Sequence, residues 1–423
     1  MRLRLCLRRM RLRMRRRRTL MANVIEFIKR AFKPGEPVEP LPADVFHYIA
    51  PPDDPHNYRL HLRLEADGSG LLIINAATVL HLNQTAAEFA YHLVNQTSEE
   101  IAIKSVMDRY RVSYEVARSD FLNLREQIDT LIDTPDLDPV TYLEIERHTP
   151  YTDDISAPYR LDCALTYQVP KGALIDDAPT KRVDRELSTE EWQQILAKAW
   201  QAGIPHVIFT GGEPTLREDL PQLITYAEEL GQVTGLLTDG VRLGESDYLQ
   251  SLLLAGLDHT MIVLQPDKET TWQSLASFSY WTETMDEDLF VAVHLTMRED
   301  NQAEFLGLID KLADAGISAL SISASSKNLS DALSEAQEAA YNRNLELVWD
   351  IPVPYSGINP IAMELAQQDE EPVDVSGAGH GWLYVEPDGD VLPGQGINQV
   401  LGNLLTHNWE TIWQAAKDFR KAS

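Results

Sequence analysis

From about residue 161 to residue 345 the chain repeats one unit, a short apolar β-type run followed by an amphipathic helical stretch. The runs begin near residues 161, 206, 233, 259, 289, 318 and 345. After the first step they recur about every 28 residues, which is the length that a strand, a helix and two loops need. The helical stretches include Ser188–Ala202, Asp219–Leu230, Asn301–Ala315 and Leu329–Asn342, and the first opens on the capping box Ser188-Thr189-Glu190-Glu191. Strands joined through helices pair in parallel, with crossovers of one hand. The pattern therefore predicts an α/β fold whose parallel sheet curves into a partial barrel over residues 150–355. Six or seven units are too few for a closed eight-stranded barrel.

The flanks read differently. Tyr58–Leu64 alternates polar and apolar residues, as a half-buried strand does, and Leu71–Ile74 and Thr78–Leu82 read as two further strands. Helical periodicity follows over Thr85–Val94, from a box at Thr97-Ser98-Glu99-Glu100 to about Tyr110, and over Ser113–Ile132. Residues 58–135 thus predict a small winged-helix-like α+β domain. Residues 1–18 carry ten Arg and no acid. Translation is expected to start at Met21, and residues 1–57, Pro-rich from 33 onward, are expected to form a disordered leader and linker. Residues 356–423 form an extension with a hairpin signal at Tyr384–Val391 and a last helix after Asn408.

Composition narrows the partners. The chain has 37 Lys and Arg against 65 Asp and Glu, a formal charge of −28, and the body without its Arg-rich start is more acidic still. Such a surface repels nucleic acid. No run of about eighteen apolar residues occurs, so no membrane span is expected. There are two cysteines, Cys6 and Cys163. They exclude a disulfide framework and a cysteine zinc site, and they fit a cytoplasmic protein.

In a parallel barrel the ligand site lies at the carboxyl ends of the strands. Those ends read Thr166-Tyr167-Gln168-Val169-Pro170-Lys171, Thr210-Gly211-Gly212-Glu213-Pro214-Thr215 and Leu237-Thr238-Asp239-Gly240. The second is the sharpest signal. Two glycines let the backbone turn tightly and approach a neighbour, and Glu213 sets a carboxylate at the sheet edge, where it could accept from an ammonium group. A turn whose glycines serve geometry alone explains the same residues.

The order and spacing of Leu165-Thr166-Tyr167, Leu187–Trp192, Thr210–Leu216 and Leu237–Gly240 resemble the radical S-adenosylmethionine core. The resemblance implies a partial (βα)6 barrel. It also implies that Gly211, Gly212, Glu213 and Pro214, with Thr238, contact S-adenosylmethionine. Leu82-Asn83-Gln84-Thr85-Ala86 and the helices after it resemble a PqqD-like peptide-recognition domain, which implies a peptide or precursor-peptide partner for residues 58–135. His380–Pro393, with Leu401-Gly402-Asn403 and Trp413, resembles the SPASM-like extension of peptide-modifying members, where Ser376 and Gly394 stand near expected cysteines.

The departure weighs as much as the resemblance. The family holds its iron–sulfur cluster with Cys-x3-Cys-x2-Cys after the first strand. Here those places are Val169, Ala173 and Asp176, none of them a thiol. No iron–sulfur cofactor and no other metal is expected, whereas S-adenosylmethionine remains a candidate ligand. Cys163 reads as a small core residue. His206, His259, His294 and His380 lack a short metal-ligand spacing and read as structural, although the first three could meet inside the barrel. The expectation is a cluster-less, non-enzymatic protein that binds a peptide and a companion modifying enzyme. The alternative is an enzyme of the same fold that still binds S-adenosylmethionine or another small molecule at the barrel mouth, with Glu213, Asp176 and Lys171 as polar groups.

Overall fold

The computed structural model describes residues 38–134, 155–170, 183, 185–285, 289–347 and 377–422, apart from Pro52, Asn57, Ala77 and Ser325. Cys6, Lys171, Ala173, Asp176 and Ser376 lie outside the described residues, as does the leader.

Four antiparallel strands come first: β1 (Asp44–Ile49), β2 (Arg59–Leu64), β3 (Gly70–Ile74) and β4 (Thr78–Leu82), in that spatial order. Three helices follow, α1 (Gln84–Val94), α2 (Glu99–Tyr110) and α3 (Tyr114–Asp133). Strand alternation puts Leu60, Leu62, Leu64, Leu72, Ile74 and Leu80 on one face, against Ala87, Ala90 and Val94 of α1 and Ile128, Leu131 and Ile132 of α3. Two expectations are corrected here. Residues 44–49 belong to the stretch read as a disordered linker, yet they form β1. Pro40, Pro42 and Pro51 stand outside the strand and bound it rather than exclude it. The capping box at Thr97–Glu100 is not formed, because α2 starts after Ser98, whose side chain makes no cap bond. The box at Ser188–Glu191 is complete, with both reciprocal bonds present.

The barrel runs β5 (Arg160–Thr166), α4 (Thr189–Gln201), β6 (His206–Gly211), α5 (Leu220–Leu230) and β7 (Val233–Thr238). It continues with α6 (Ser246–Leu254), β8 (His259–Val263), α7 (Glu269–Met285) and β9 (Phe290–Met297). It ends with α8 (Phe305–Asp314), β10 (Ala319–Ala324), α9 (Ser330–Asn342) and β11 (Glu346–Leu347). Strands β5 to β11 are parallel and ordered by sequence. The extension shares this sheet. Its strands β12 (Trp382–Val385), β13 (Asp390–Leu392) and β14 (Gly402–Asn403) continue it beyond β5, with Trp382 opposite Arg160 and Val385 opposite Cys163. A last helix, α10 (Trp409–Ala422), packs Ile412, Trp413 and Ala416 into the main core.

Period-two alternation splits the barrel strands into two faces. Leu161, Cys163, Leu165, Val207, Phe209, Leu236, Ile262, Val293 and Leu320 pack outward with Trp192, Ile195 and Leu223 of the helices. Ile208, Leu237, Met261, Val263, Ala292 and Ala319 pack inward on one another.

The four-stranded sheet is seated on the floor of this barrel, where helices end and strands begin. Gly203, in the turn before β6, accepts at its carbonyl from His61 Nε2 (2.9 Å) and Arg63 Nη1 (3.3 Å). Arg59 donates to Glu228 Oε2 (2.5 Å), Asp258 Oδ2 (3.0 Å) and the Gln232 carbonyl (3.2 Å). Asp258 also accepts from the Thr234 amide at 2.7 Å, so one carboxylate ties β2 to the start of β7. Trp200 packs edge-on against His47 at a centroid distance of 4.7 Å. Because these charges are largely withdrawn from water, truncating Arg59 strands two carboxylates. Arg59→Ala is expected to cost about 2–3 kcal/mol, read by urea denaturation. It should also speed amide exchange at Thr234. An unchanged midpoint would show that the seat does not depend on these bonds.

Candidate functional site

The loops after β5, β6 and β7 converge at the barrel mouth through backbone contact. The Gly212 amide donates to the Thr166 carbonyl (2.7 Å) and the Glu213 amide to the Gln168 carbonyl (2.8 Å). A Cβ on Gly211 would lie 2.2 Å from the Thr166 oxygen, and one on Gly212 would lie 2.1 Å from the Gln168 oxygen. Gly211 also has φ +125°, open to glycine alone. Both glycines are thus required by the neighbouring chain. Pro214 then opens a single 3-10 turn, Pro214–Leu216.

Glu213 is buried and serves as the knot. Its Oε1 accepts from the Thr215 amide (3.0 Å), Thr215 Oγ1 (2.5 Å) and Thr238 Oγ1 (2.7 Å), and its Oε2 accepts from the Asp239 amide (2.7 Å). Burial and the neighbouring Asp239 carboxylate raise Glu213 to about 7. Burial raises Asp239 as well. The structure therefore gathers Gly211, Gly212, Glu213, Pro214 and Thr238 in one place. The Glu213 carboxylate faces the chain's own hydroxyls and amides. Val169 is half-buried in the loop beyond β5.

Sequence reasoning missed several groups here. Arg217 donates Nη1 to the carbonyls of Leu165 (3.1 Å) and Leu187 (3.0 Å) and pairs with Asp219, clamping the end of β5. Glu186 accepts from Thr166 Oγ1 (2.5 Å) and the Tyr167 amide (3.2 Å). The Tyr167 hydroxyl donates to Glu386 Oε1 at 2.9 Å, so the extension reaches the mouth. Thr210 points inward from β6, buried, and its hydroxyl has no partner among the described residues. Its place beside the Gly-Gly turn was legible, but its orphaned state was not. His294 is buried with Nδ1 against Ser321 Oγ (2.9 Å) and Nε2 against Thr296 Oγ1 (3.2 Å) and Ser323 Oγ (3.2 Å), and burial lowers it to about 3. His380 is buried against Tyr159.

The residues at the mouth suit one of the two groups that the fold implies and not the other. An orphaned buried hydroxyl at Thr210, next to a turn held open by two glycines, suits a polar ligand such as S-adenosylmethionine. A cluster held by three thiolates does not fit. The only thiol among the described residues, Cys163, is fully buried on the outward face of β5, and burial raises it well above its ordinary value.

Residues 163–326 match the family model of the Radical SAM superfamily. The PqqA peptide cyclase of Streptomyces rochei is 27% identical over 286 residues, 63% of this chain and 78% of that protein. The PqqA peptide cyclase of Rhodopseudomonas palustris is 30% identical over 169 residues, 37% of this chain and 44% of that protein. SuiB of Streptococcus suis bound to precursor peptide SuiA superposes with a TM-score of 0.56, covering 87% of this chain and 88% of that chain at 18% identity. SuiB bound to S-adenosylmethionine superposes with a TM-score of 0.55 over the same shares. The chain has the α/β partial-barrel fold of the radical SAM superfamily, with a four-stranded antiparallel domain before it and short strands after it.

Two outcomes follow from the mouth. Gly212→Ala places a methyl group on a carbonyl oxygen and is expected to cost about 3 kcal/mol or more, read by thermal denaturation. The Glu213–Asp239 pair gives a pH signature. A carboxylate raised in the folded state stabilises fully below its unfolded value, near 4.3. That contribution is lost as pH rises through about 7. Stability should fall over this window, and the fall should be shallower in Glu213→Gln. Parallel curves for the two proteins would contradict the assignment.

Proposed function

We propose that this chain is a peptide-handling protein of the radical SAM type that binds S-adenosylmethionine at its barrel mouth and works in peptide maturation without a three-cysteine cluster of its own. One observation carries the reading. The turn at Gly211–Thr215 is fully assembled beside the unpartnered Thr210 hydroxyl, while the described thiol is sealed on the opposite face of the sheet. Thr210, the Gly211–Pro214 turn and Thr238 are the groups that would hold the ligand. When bound, S-adenosylmethionine supplies a sulfonium whose carbon substituents can leave to a nucleophile. Glu213 contributes as a positioning group, since its four bonds fix the two loops.

Residues 58–135 would take the peptide as an added strand. Of the two sheet edges, β4 suits this better than β1. It reads Thr78-Val79-Leu80-His81-Leu82, with no proline and no acid to guard it, whereas β1 opens on Asp44 between flanking prolines. The peptide maturation role is supported by the likeness to the peptide cyclases and to SuiB. Among the described residues no helix is long and apolar enough to cross a membrane.

A second reading keeps the same fold as a scaffold for a companion modifying enzyme, and the absence of thiols at Val169, Ala173 and Asp176 favours it. Two measurements separate the readings. Calorimetry of the full chain with S-adenosylmethionine is expected to give saturable binding, several-fold weaker in Thr210→Val. Iron and sulfide assays after anaerobic reconstitution are expected to give neither in stoichiometric amount. No binding would leave the scaffold as the better reading. Stoichiometric iron with a thiolate-to-iron band would overturn both.

A further inference from the structure

At the floor of the barrel, the end opposite the mouth, two imidazoles converge. His206 is the first residue of β6 and His259 the first of β8. Both have the inward parity of Ile208 and Met261. Strand β7 lies between them, and its inward residue there is Gly235. A Cβ on Gly235 would lie 2.3 Å from His259 Nε2 and 2.4 Å from Ile208 Cδ1. Glycine in a strand interior weakens the strand, and here its lack of a side chain is what lets His259 cross β7. The crossing brings His259 Nε2 to 3.2 Å from His206 Nε2, with ring centroids 4.9 Å apart.

We propose that His206 and His259 form an exchangeable divalent-cation site of the zinc class on the barrel floor. Two zinc-bound imidazole nitrogens, each about 2.0–2.1 Å from a tetrahedral ion, stand roughly 3.3–3.4 Å apart. The observed separation of 3.2 Å matches that spacing; the two rings now share a hydrogen bond through Nε2, which an ion would replace once each ring turned its Nε2 lone pair toward it. Metal binding also requires neutral rings. Burial lowers both imidazoles, His206 well below its ordinary value and His259 to about 4, and the Arg160 cation lowers both further.

The charges facing the pair are accounted for. Arg160 of β5 is held by Asp162, Nε to Oδ1 at 2.7 Å and Nη2 to Oδ2 at 3.1 Å, and its guanidinium lies over the Trp382 ring at 5.2 Å. Its repulsion of a cation is thereby blunted. Asp258 precedes His259 and is engaged by Arg59 and Thr234. Among the described residues no third His, Cys, Asp or Glu completes a protein-only metal site. The remaining positions therefore go to water or an outside ligand, and the affinity should be far weaker than that of a four-ligand structural site. An ion here would staple β6 to β8 beneath the small domain, since Asp258 is one of its anchors.

The test uses the full chain, stripped with chelator and titrated with zinc chloride by calorimetry. One saturable equivalent is expected above the weak background of an acidic surface, and His206→Gln and His259→Gln should each lose it by tenfold or more. Cobalt(II) should give the visible bands of a tetrahedral site in the unmodified chain only. If a variant does not fold, the wild-type chain suffices. Zinc should then slow diethyl pyrocarbonate modification at His206 and His259, read by peptide mass spectrometry. A saturable equivalent that survives both substitutions, an equivalent that never appears, or modification unchanged by zinc would each overturn the proposal.

Discussion

The mouth of the barrel rests on one close approach of backbone to backbone. The amides of Gly212 and Glu213 donate to the carbonyls of Thr166 and Gln168 at 2.7 and 2.8 Å, an approach that only residues without a Cβ permit at Gly211 and Gly212. Everything above the sheet follows from that contact. It puts Glu213 where Thr215, Thr238 and Asp239 can reach its two oxygens, and so joins the loops after β6 and β7. It also brings the loop after β5 to the carbonyls that Arg217 clamps. A carboxylate this buried is costly unless hydrogen-bonded. Four donors offset that cost, and the raised titration point records what remains of it.

Much of this was legible. Recurrence of β-runs and helices is a local signal repeated along the chain, and it located β5 to β11 within a few residues. The Gly-Gly-Glu-Pro turn was legible because glycine at a strand end has few other uses. The missed features depend on residues far apart in sequence. β1 was hidden by its prolines, which are an edge strand's neighbours here and not its members. Arg217 reaches back to Leu165, and Glu386 meets Tyr167, a residue 219 positions earlier. That His206 and His259 could meet inside the barrel was legible from their strands, but their direct pairing spans 53 positions and depends on a glycine in the strand between them. No spacing rule reads such a pair.

The arrangement also separates two surfaces. The four-stranded domain contacts the barrel at Gly203, Glu228, Gln232 and Asp258, all of them where helices end and strands begin. The assembled turn lies at the other ends of the same strands. A strand of six residues rises about 20 Å, so a segment held on the small domain is at least a barrel's height from the mouth. Any peptide served by both must be extended across that distance, at roughly 3.3–3.6 Å per residue.

Strand parity decides what the chain's own thiol can do. Side chains alternate across β5, so Asp162 and Ala164 belong to the inner face and Cys163 to the outer, among Leu161, Leu165 and the helical core. Moving Cys163 inward would need a slip of one residue, which would carry Arg160 and Asp162 into the apolar layer under α4. Their ion pair, now inside the barrel, would then be buried among leucines without the Trp382 ring beside it. The parallel pairing of β12 with β5, Val385 opposite Cys163, opposes the same slip from the other side. The thiol is thus fixed away from the mouth by the register that also builds the mouth. At that site the described part of the barrel contributes shape, hydroxyls and a buried carboxyl pair.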